Sequence, residues 1–141
     1  MNEQDSYVLV VDDEPDGREA VCRYLSKAGY RVESASTGRE ALHKVTTQMP
    51  AVIILDAMMP EMDGVRFLEV IRSYLRWQRM PVIMLTAYEK GPHLNNAQAL
   101  DVRQIFFKAH FELSDLRRAI DECAGPTLRE NHSAQHFASS N

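Results

Sequence analysis

Residues 7–124 alternate between two patterns of apolar and polar positions. Apolar runs at 7–11, 30–34, 51–55, 81–85 and 105–107 have the length of strands. Those at 51–55 and 81–85 are almost wholly apolar, as strands covered on both faces are. Helical spacing fills the intervals. Val21, Tyr24, Leu25 and Ala28 recur at i, i+3, i+4, i+7, with Pro15 suited to a first turn and Gly29 to a C-cap. Thr37 and Glu40 have capping-box spacing ahead of Ala41, Leu42, Val45 and Met49, and Pro50 stops that helix. Phe67, Leu68, Ile71 and Leu75 form a third stripe, and Leu113, Leu116, Ile120 and Cys123 the last. The fourth helix, over 94–100, has the weakest pattern, because Gly91-Pro92 precedes it and Asn95-Asn96 lies within it. Strand followed by helix, five times over, predicts an α/β fold: a doubly wound, five-stranded parallel sheet with helices on both faces.

At 141 residues the chain has room for one such domain. The stretch 125–141 is polar, with Leu128 and Phe137 its only large apolar residues, and reads as a flexible C-terminal tail after a domain of residues 1–124. The formal charge of -4 argues against direct nucleic-acid binding, which needs a basic surface. No run is long enough to span a bilayer and no basic start precedes an apolar stretch, so neither a membrane anchor nor a signal peptide is expected. Cys22 and Cys123 make no disulfide framework; both fit apolar helix faces as free thiols of a reducing cytoplasm. Arg72, Arg76 and Arg79 gather beside Trp77, where basic residues at a helix C-terminus suit the dipole. His132 and His136 stand at i, i+4 in the tail without further pattern.

Ligands of open parallel sheets bind at the carboxyl ends of the strands. The residues there are Asp12, Asp13 and Glu14 after the first strand, Asp56 after the third, Thr86 after the fourth and Lys108 after the fifth. The second strand is followed only by Ala35 and Ser36, as an edge strand would be. Any one of these polar residues has an ordinary explanation as a cap, a turn residue or a solvated lysine; their joint arrangement does not. Crowded carboxylates repel unless a cation lies among them, and oxygen ligands without His or Cys suit Mg²⁺. One carboxylate can then act as a nucleophile toward phosphorus, with the metal and the ammonium neutralising phosphoryl oxygens and the Thr86 hydroxyl bonding a third.

Four segments, in order and at matching spacings, resemble the receiver domain of two-component response regulators: Val-Leu-Val-Val-Asp-Asp-Glu-Pro at 8–15, Ile-Leu-Asp-Ala-Met-Met-Pro-Glu-Met-Asp-Gly at 54–64, Pro-Val-Ile-Met-Leu-Thr-Ala at 81–87 and Phe-Phe-Lys at 106–108. The resemblance covers residues 6–124 and is to the single-domain, chemotaxis-regulator-like form. It implies the flavodoxin-like strand order 2-1-3-4-5 and a set of roles. Asp56 is the implied phospho-acceptor, with Thr86 the switch hydroxyl and Lys108 the partner of the phosphoryl group. Asp13, Asp56 and the backbone carbonyl of Met58 are implied Mg²⁺ ligands, and Asp12 holds the metal through water. The implied donor is a phosphohistidine on a sensor histidine kinase or a histidine phosphotransfer protein. The output is binding of a downstream protein or onward transfer, in the cytoplasm, with a homodimer among the assemblies such domains form. The only chemistry is self-catalysed phosphotransfer and dephosphorylation.

The sequence departs from the family pattern where output usually arises. Ala109 stands in place of the proline after the lysine, Ile105 in place of an aromatic switch residue, and Asp101-Val102 in place of a Gly-Ala pair. A trans bond is expected before Ala109, since cis before a non-proline residue costs about 2.5–4 kcal/mol. Met58 and Tyr88, two residues beyond Asp56 and Thr86, predict slower self-hydrolysis than short polar residues would give. Three readings compete with a stand-alone receiver. A pseudo-receiver that binds partners without phosphate control is favoured by Ala109 and Ile105 and opposed by the complete site. The N-terminal receiver of a longer effector protein is the second. A Mg²⁺-dependent phosphatase is the third, but it lacks the second acid, because Met58 stands at that position.

Overall fold

The computed structural model describes residues 6–59 and 62–125. The expected tail, its two histidines included, lies outside the described residues except for Gly125. Within them, strands β1 (Val8–Val11), β2 (Val32–Ala35), β3 (Val52–Leu55), β4 (Val82–Thr86) and β5 (Gln104–Phe107) alternate with helices α1 (Pro15–Lys27), α2 (Gly38–Thr47), α3 (Gly64–Ser73), α4 (Pro92–Ala99) and α5 (Leu113–Ala124). Short 3₁₀ turns follow α3, at Leu75–Trp77, and β5, at Lys108–His110. All strand pairs are parallel, in the order β2-β1-β3-β4-β5. The expected doubly wound sheet and its order are both present.

The two-residue period of a strand sorts the core into two layers. Leu9, Val11, Ile53 and Leu55 face Ala41 and Val45 of α2 and Phe67, Leu68 and Ile71 of α3. Val8, Val10, Ile54, Ile83 and Leu85 face Val21 and Leu25 of α1 and Leu116 and Ile120 of α5. A smaller cluster of Ala57, Met84 and Ala97 seats α4. Each fully buried aliphatic side chain contributes roughly 1.5–3 kcal/mol, so the strands are fixed in register by both layers at once. That register brings the carboxyl ends of β1, β3, β4 and β5 to one rim.

Local chemistry sets the element ends. Thr37 Oγ1 accepts from Glu40 N at 3.0 Å, as the capping-box spacing predicts. The Glu40 carboxylate reaches back to Ser36 N and Ser36 Oγ, one residue earlier than the motif requires. Asp63 caps α3 by accepting from Arg66 N at 2.8 Å. Gly29 follows the end of α1 at φ 105°, the left-handed conformation that favours glycine. Two sequence expectations need correction. β2 begins at Val32, two residues late, because the apolar Tyr30 is buried in the loop, where its hydroxyl donates to Asp121. Leu75 does not extend the third stripe: α3 ends at Ser73, and Leu75 projects outward, 85% exposed.

Candidate functional site

Three strand ends build the rim by one repeated device. Asp12 Oδ1 accepts from Glu14 N at 3.0 Å, Asp56 Oδ1 from Met58 N at 3.1 Å and Thr86 Oγ1 from Tyr88 N at 3.1 Å. A side-chain oxygen bonded to the amide two residues on forms a compact turn that fixes both the backbone and the side-chain direction. Asp12 and Asp13 therefore do not cap α1; Glu14 occupies the N-cap position. Arg18, one turn into α1, donates from Nη1 to the Asp12 carbonyl at 2.8 Å and holds that turn from behind. Gly64 does the same for Asp56 by close approach: a Cβ there would stand 2.2 Å from the Asp56 carbonyl oxygen.

The side chains expected to act together do meet. Asp12 is 4% exposed, Asp56 6% and Thr86 wholly enclosed, while Asp13 is exposed at the mouth. One oxygen each of Asp12, Asp13 and Asp56 lies within 4.8 Å of the others. Lys108 Nζ donates to Asp12 Oδ2 at 2.9 Å and to Asp56 Oδ2 at 3.3 Å, bridging the two buried acids. Burial pushes the Asp56 carboxyl up to about 7, and neighbouring Asp12 adds to the rise; the Met58 amide and Lys108 oppose it. Burial pulls Lys108 down, but the two carboxylates outweigh it and hold the ammonium above its ordinary value. A buried carboxyl that resists ionisation beside two further oxygen ligands is a site short of positive charge. A hard divalent cation supplies it.

Met58 and Tyr88, flagged in the sequence, and Glu89, His93 and His110, which were not, complete the rim. Met58 and Tyr88 are 46% and 55% exposed on either side of the mouth, so neither is simply core packing over the rim. His93, buried in the first turn of α4, places Nε2 2.9 Å from the Tyr88 carbonyl. Glu89 and His110 are hydrogen-bonded to each other across the gap between the β4–α4 connection and the turn that carries Lys108. No spacing rule announces these contacts, because each has at least one partner in a loop. Ile105 is half-buried against the Met84–Ala97 cluster, and the Lys108–Ala109 bond is trans. Cys22 and Cys123 are free and partly buried. Among the described residues no helix is long and apolar enough to cross a membrane.

Comparison with known proteins agrees with this geometry. A family model described as the response regulator receiver domain matches residues 8–121. Response regulator Rre1 of Synechocystis is 42% identical over 81 residues, which are 57% of this chain and 35% of that protein. A protein-glutamate methylesterase/protein-glutamine glutaminase of Archaeoglobus fulgidus is 42% identical over 101 residues, 71% of this chain and 28% of its own. The chain thus spans about a third of the length of these curated relatives. Among solved structures, chemotaxis protein CheY4 of Vibrio cholerae superposes with a TM-score of 0.76 at 32% identity, over 84% of this chain and 98% of that one. Response regulator TrrA of Thermotoga maritima, in complex with Mg²⁺ and beryllofluoride, gives 0.74 at 30% identity over the same shares.

Proposed function

The chain belongs to the response regulator receiver domain family of two-component signalling, and from that membership we propose that it takes a phosphoryl group from a phosphohistidine onto Asp56. In the step, an Asp56 carboxylate oxygen bonds to phosphorus as the phosphorus–nitrogen bond of the donor breaks, and the departing imidazole nitrogen picks up a proton. Lys108 shifts from bridging carboxylates to pairing with a phosphoryl oxygen, and the Thr86 hydroxyl turns from the Tyr88 amide toward another. Asp12, Asp13, Asp56 and the Met58 carbonyl are the groups that would hold Mg²⁺, which when bound neutralises phosphoryl oxygens in a loose transition state. The observation that carries the reading is the Lys108 ammonium lying between two buried carboxylates, Asp12 and Asp56, with Asp13 within metal-sharing distance.

The partners that follow are a sensor histidine kinase or a histidine phosphotransfer protein as donor, and a downstream protein that reads the phosphorylated state in the cytoplasm. We take residues 1–124 as the receiver unit. Attachment to an effector is a second reading, favoured by relatives of which the matched stretch is only 35% and 28%. The test is intact-protein mass after incubation with Mg²⁺ and acetyl phosphate. One added phosphoryl group is expected, absent after Asp56→Asn and absent with chelator. No gain in mass together with no binding of Mg²⁺ and beryllofluoride would replace this reading with a phosphate-independent binding module.

A further inference from the structure

The far end of the sheet, at the amino ends of the strands, holds a second feature. Two clefts adjoin there. One, of about 410 Å³, lies beside Met49, Leu75 and Arg76; the other, of about 470 Å³, lies beside Arg72, Asp101 and Arg103. Gln78, Arg79 and Met80 line both, so Arg79 stands where the clefts meet and the two form one groove. Arg76, Arg79 and Arg103 are exposed along it, and none has an ion-pair partner among the described residues. Arg72 differs. Its guanidinium donates to the carbonyls of Leu100, Trp77, Gln78, Met80 and Asp101, and so has no free fork for a ligand. Among the described residues Asp101 is the one carboxylate lining the groove, and its charge acts on Arg72. At the opposite end, Leu75 is the most exposed large apolar side chain among the described residues.

We propose that this groove binds an extended acidic peptide segment of a partner protein, one apolar side chain resting on Leu75 and carboxylates crossing Arg76, Arg79 and Arg103. Three features select that ligand. The cations are strung along two joined clefts, which suits a chain better than a compact anion. The apolar end offers a side-chain contact that a phosphodiester backbone does not use. And the chain as a whole carries -4, which repels a long polyanion while leaving one basic groove for a short acidic segment. Arginine forks bind carboxylates in pairs of hydrogen bonds, giving direction as well as charge. The groove contains no residue of the phosphorylation site, so it stands whether or not Asp56 is phosphorylated.

The test is fluorescence anisotropy of the full chain with a labelled heptapeptide, one leucine followed by alternating glutamate and serine. Saturable binding with a dissociation constant in the micromolar range is expected. Arg79→Glu should weaken it at least tenfold, and Arg76→Glu or Arg103→Glu severalfold each. Replacing the peptide's leucine by serine should weaken it severalfold, and added salt should weaken it steadily. Arg79→Glu should still take up one phosphoryl group, which shows that it folds, and Arg79→Gln is the milder companion. Asp56→Asn should bind the peptide as the wild type does. The proposal is overturned by no saturable binding, by equal binding to the arginine variants, by tighter binding of a DNA duplex through the same arginines, or by displacement of the probe with a synthetic peptide of residues 126–141, which would make this chain's own tail the occupant.

Discussion

Asp56 is enclosed, and its charged neighbours pull in opposite directions: Lys108 toward ionisation, Asp12 away from it. A carboxyl whose pKa rises from 3.8 to about 7 on folding takes up a proton as the chain folds. The cost of its charge is absent below pH 4, grows between pH 4 and 7, and is complete above. Removing the carboxylate should therefore stabilise the apo protein where that cost is complete. Asp56→Asn is expected to exceed the wild type by about 1–3 kcal/mol at pH 8 in chelator and to match it near pH 4. Urea melts across that range check it; a variant equally or less stable at pH 8 would contradict the account. Mg²⁺ at a hundred times its dissociation constant should recover about 2.7 kcal/mol for the wild type. Met58 and Tyr88 give the second prediction at this scale. Both flank the mouth, so short polar replacements of the pair should shorten the phosphoryl lifetime several-fold, read by the decay of the added mass. Asp12, Asp56, Thr86 and Lys108 were legible because each is the first polar residue after an apolar run. Arg18 and Gly64 were not, since what they support is a backbone carbonyl, which no side-chain pattern marks.

Elements are joined at this protein's two ends by very different means. At the far end Arg72 ties the connection after α3 to the one after α4, through carbonyls of Trp77, Gln78 and Met80 on one side and Leu100 and Asp101 on the other. Asp101 sits there at φ 59°, a conformation the fork helps to hold. Arg72→Met leaves those carbonyls short of a donor and Arg72→Lys offers a point charge in place of a fork, so both should destabilise by about 2–4 kcal/mol, with little rescue by lysine. Equal stability of the lysine variant and the wild type in thermal melts would remove the argument. At the rim, Glu89 and His110 join the β4–α4 connection to the turn carrying Lys108. Both are substantially exposed, so Glu89→Gln with His110→Phe should change global stability by under 1 kcal/mol. It should nevertheless speed local hydrogen exchange over residues 87–92. The elements themselves were readable from periodicity, even the short α4, which is held by buried His93 and Ala97 despite its two asparagines. What periodicity could not show was which apolar residues belong to loops. Tyr30 is buried by its hydroxyl bond to α5, and Leu75 falls after the helix has stopped.

Across the whole molecule, signal transmission from the rim depends on what β4 and β5 can pass along. Thr86 pairs with Phe107 and Met84 with Ile105, so this ladder is the path by which a movement of the Thr86 hydroxyl would reach the α4–β5 face. Ile105 packs with Ala57, Met84, Ala97 and Val102. A β-branched side chain is stiff at χ1 and presents no ring to swing between buried and exposed positions. If the rim works as proposed, its coupling to the α4–β5 face is therefore expected to be weaker than with an aromatic residue at position 105. Loading with Mg²⁺ and beryllofluoride should slow hydrogen exchange in the β4–α4 connection and in the turn at Lys108–His110. It should leave α4 and β5 within error of the unloaded protein. Ile105→Tyr supplies the missing ring and should extend the protection into α4 without altering phosphoryl uptake at Asp56. Protection of α4 and β5 in the wild type as strong as that at the rim would show that coupling needs no ring at position 105, and its source would then be sought in the His93 bond to the Tyr88 carbonyl, which ties α4 directly to the β4–α4 connection.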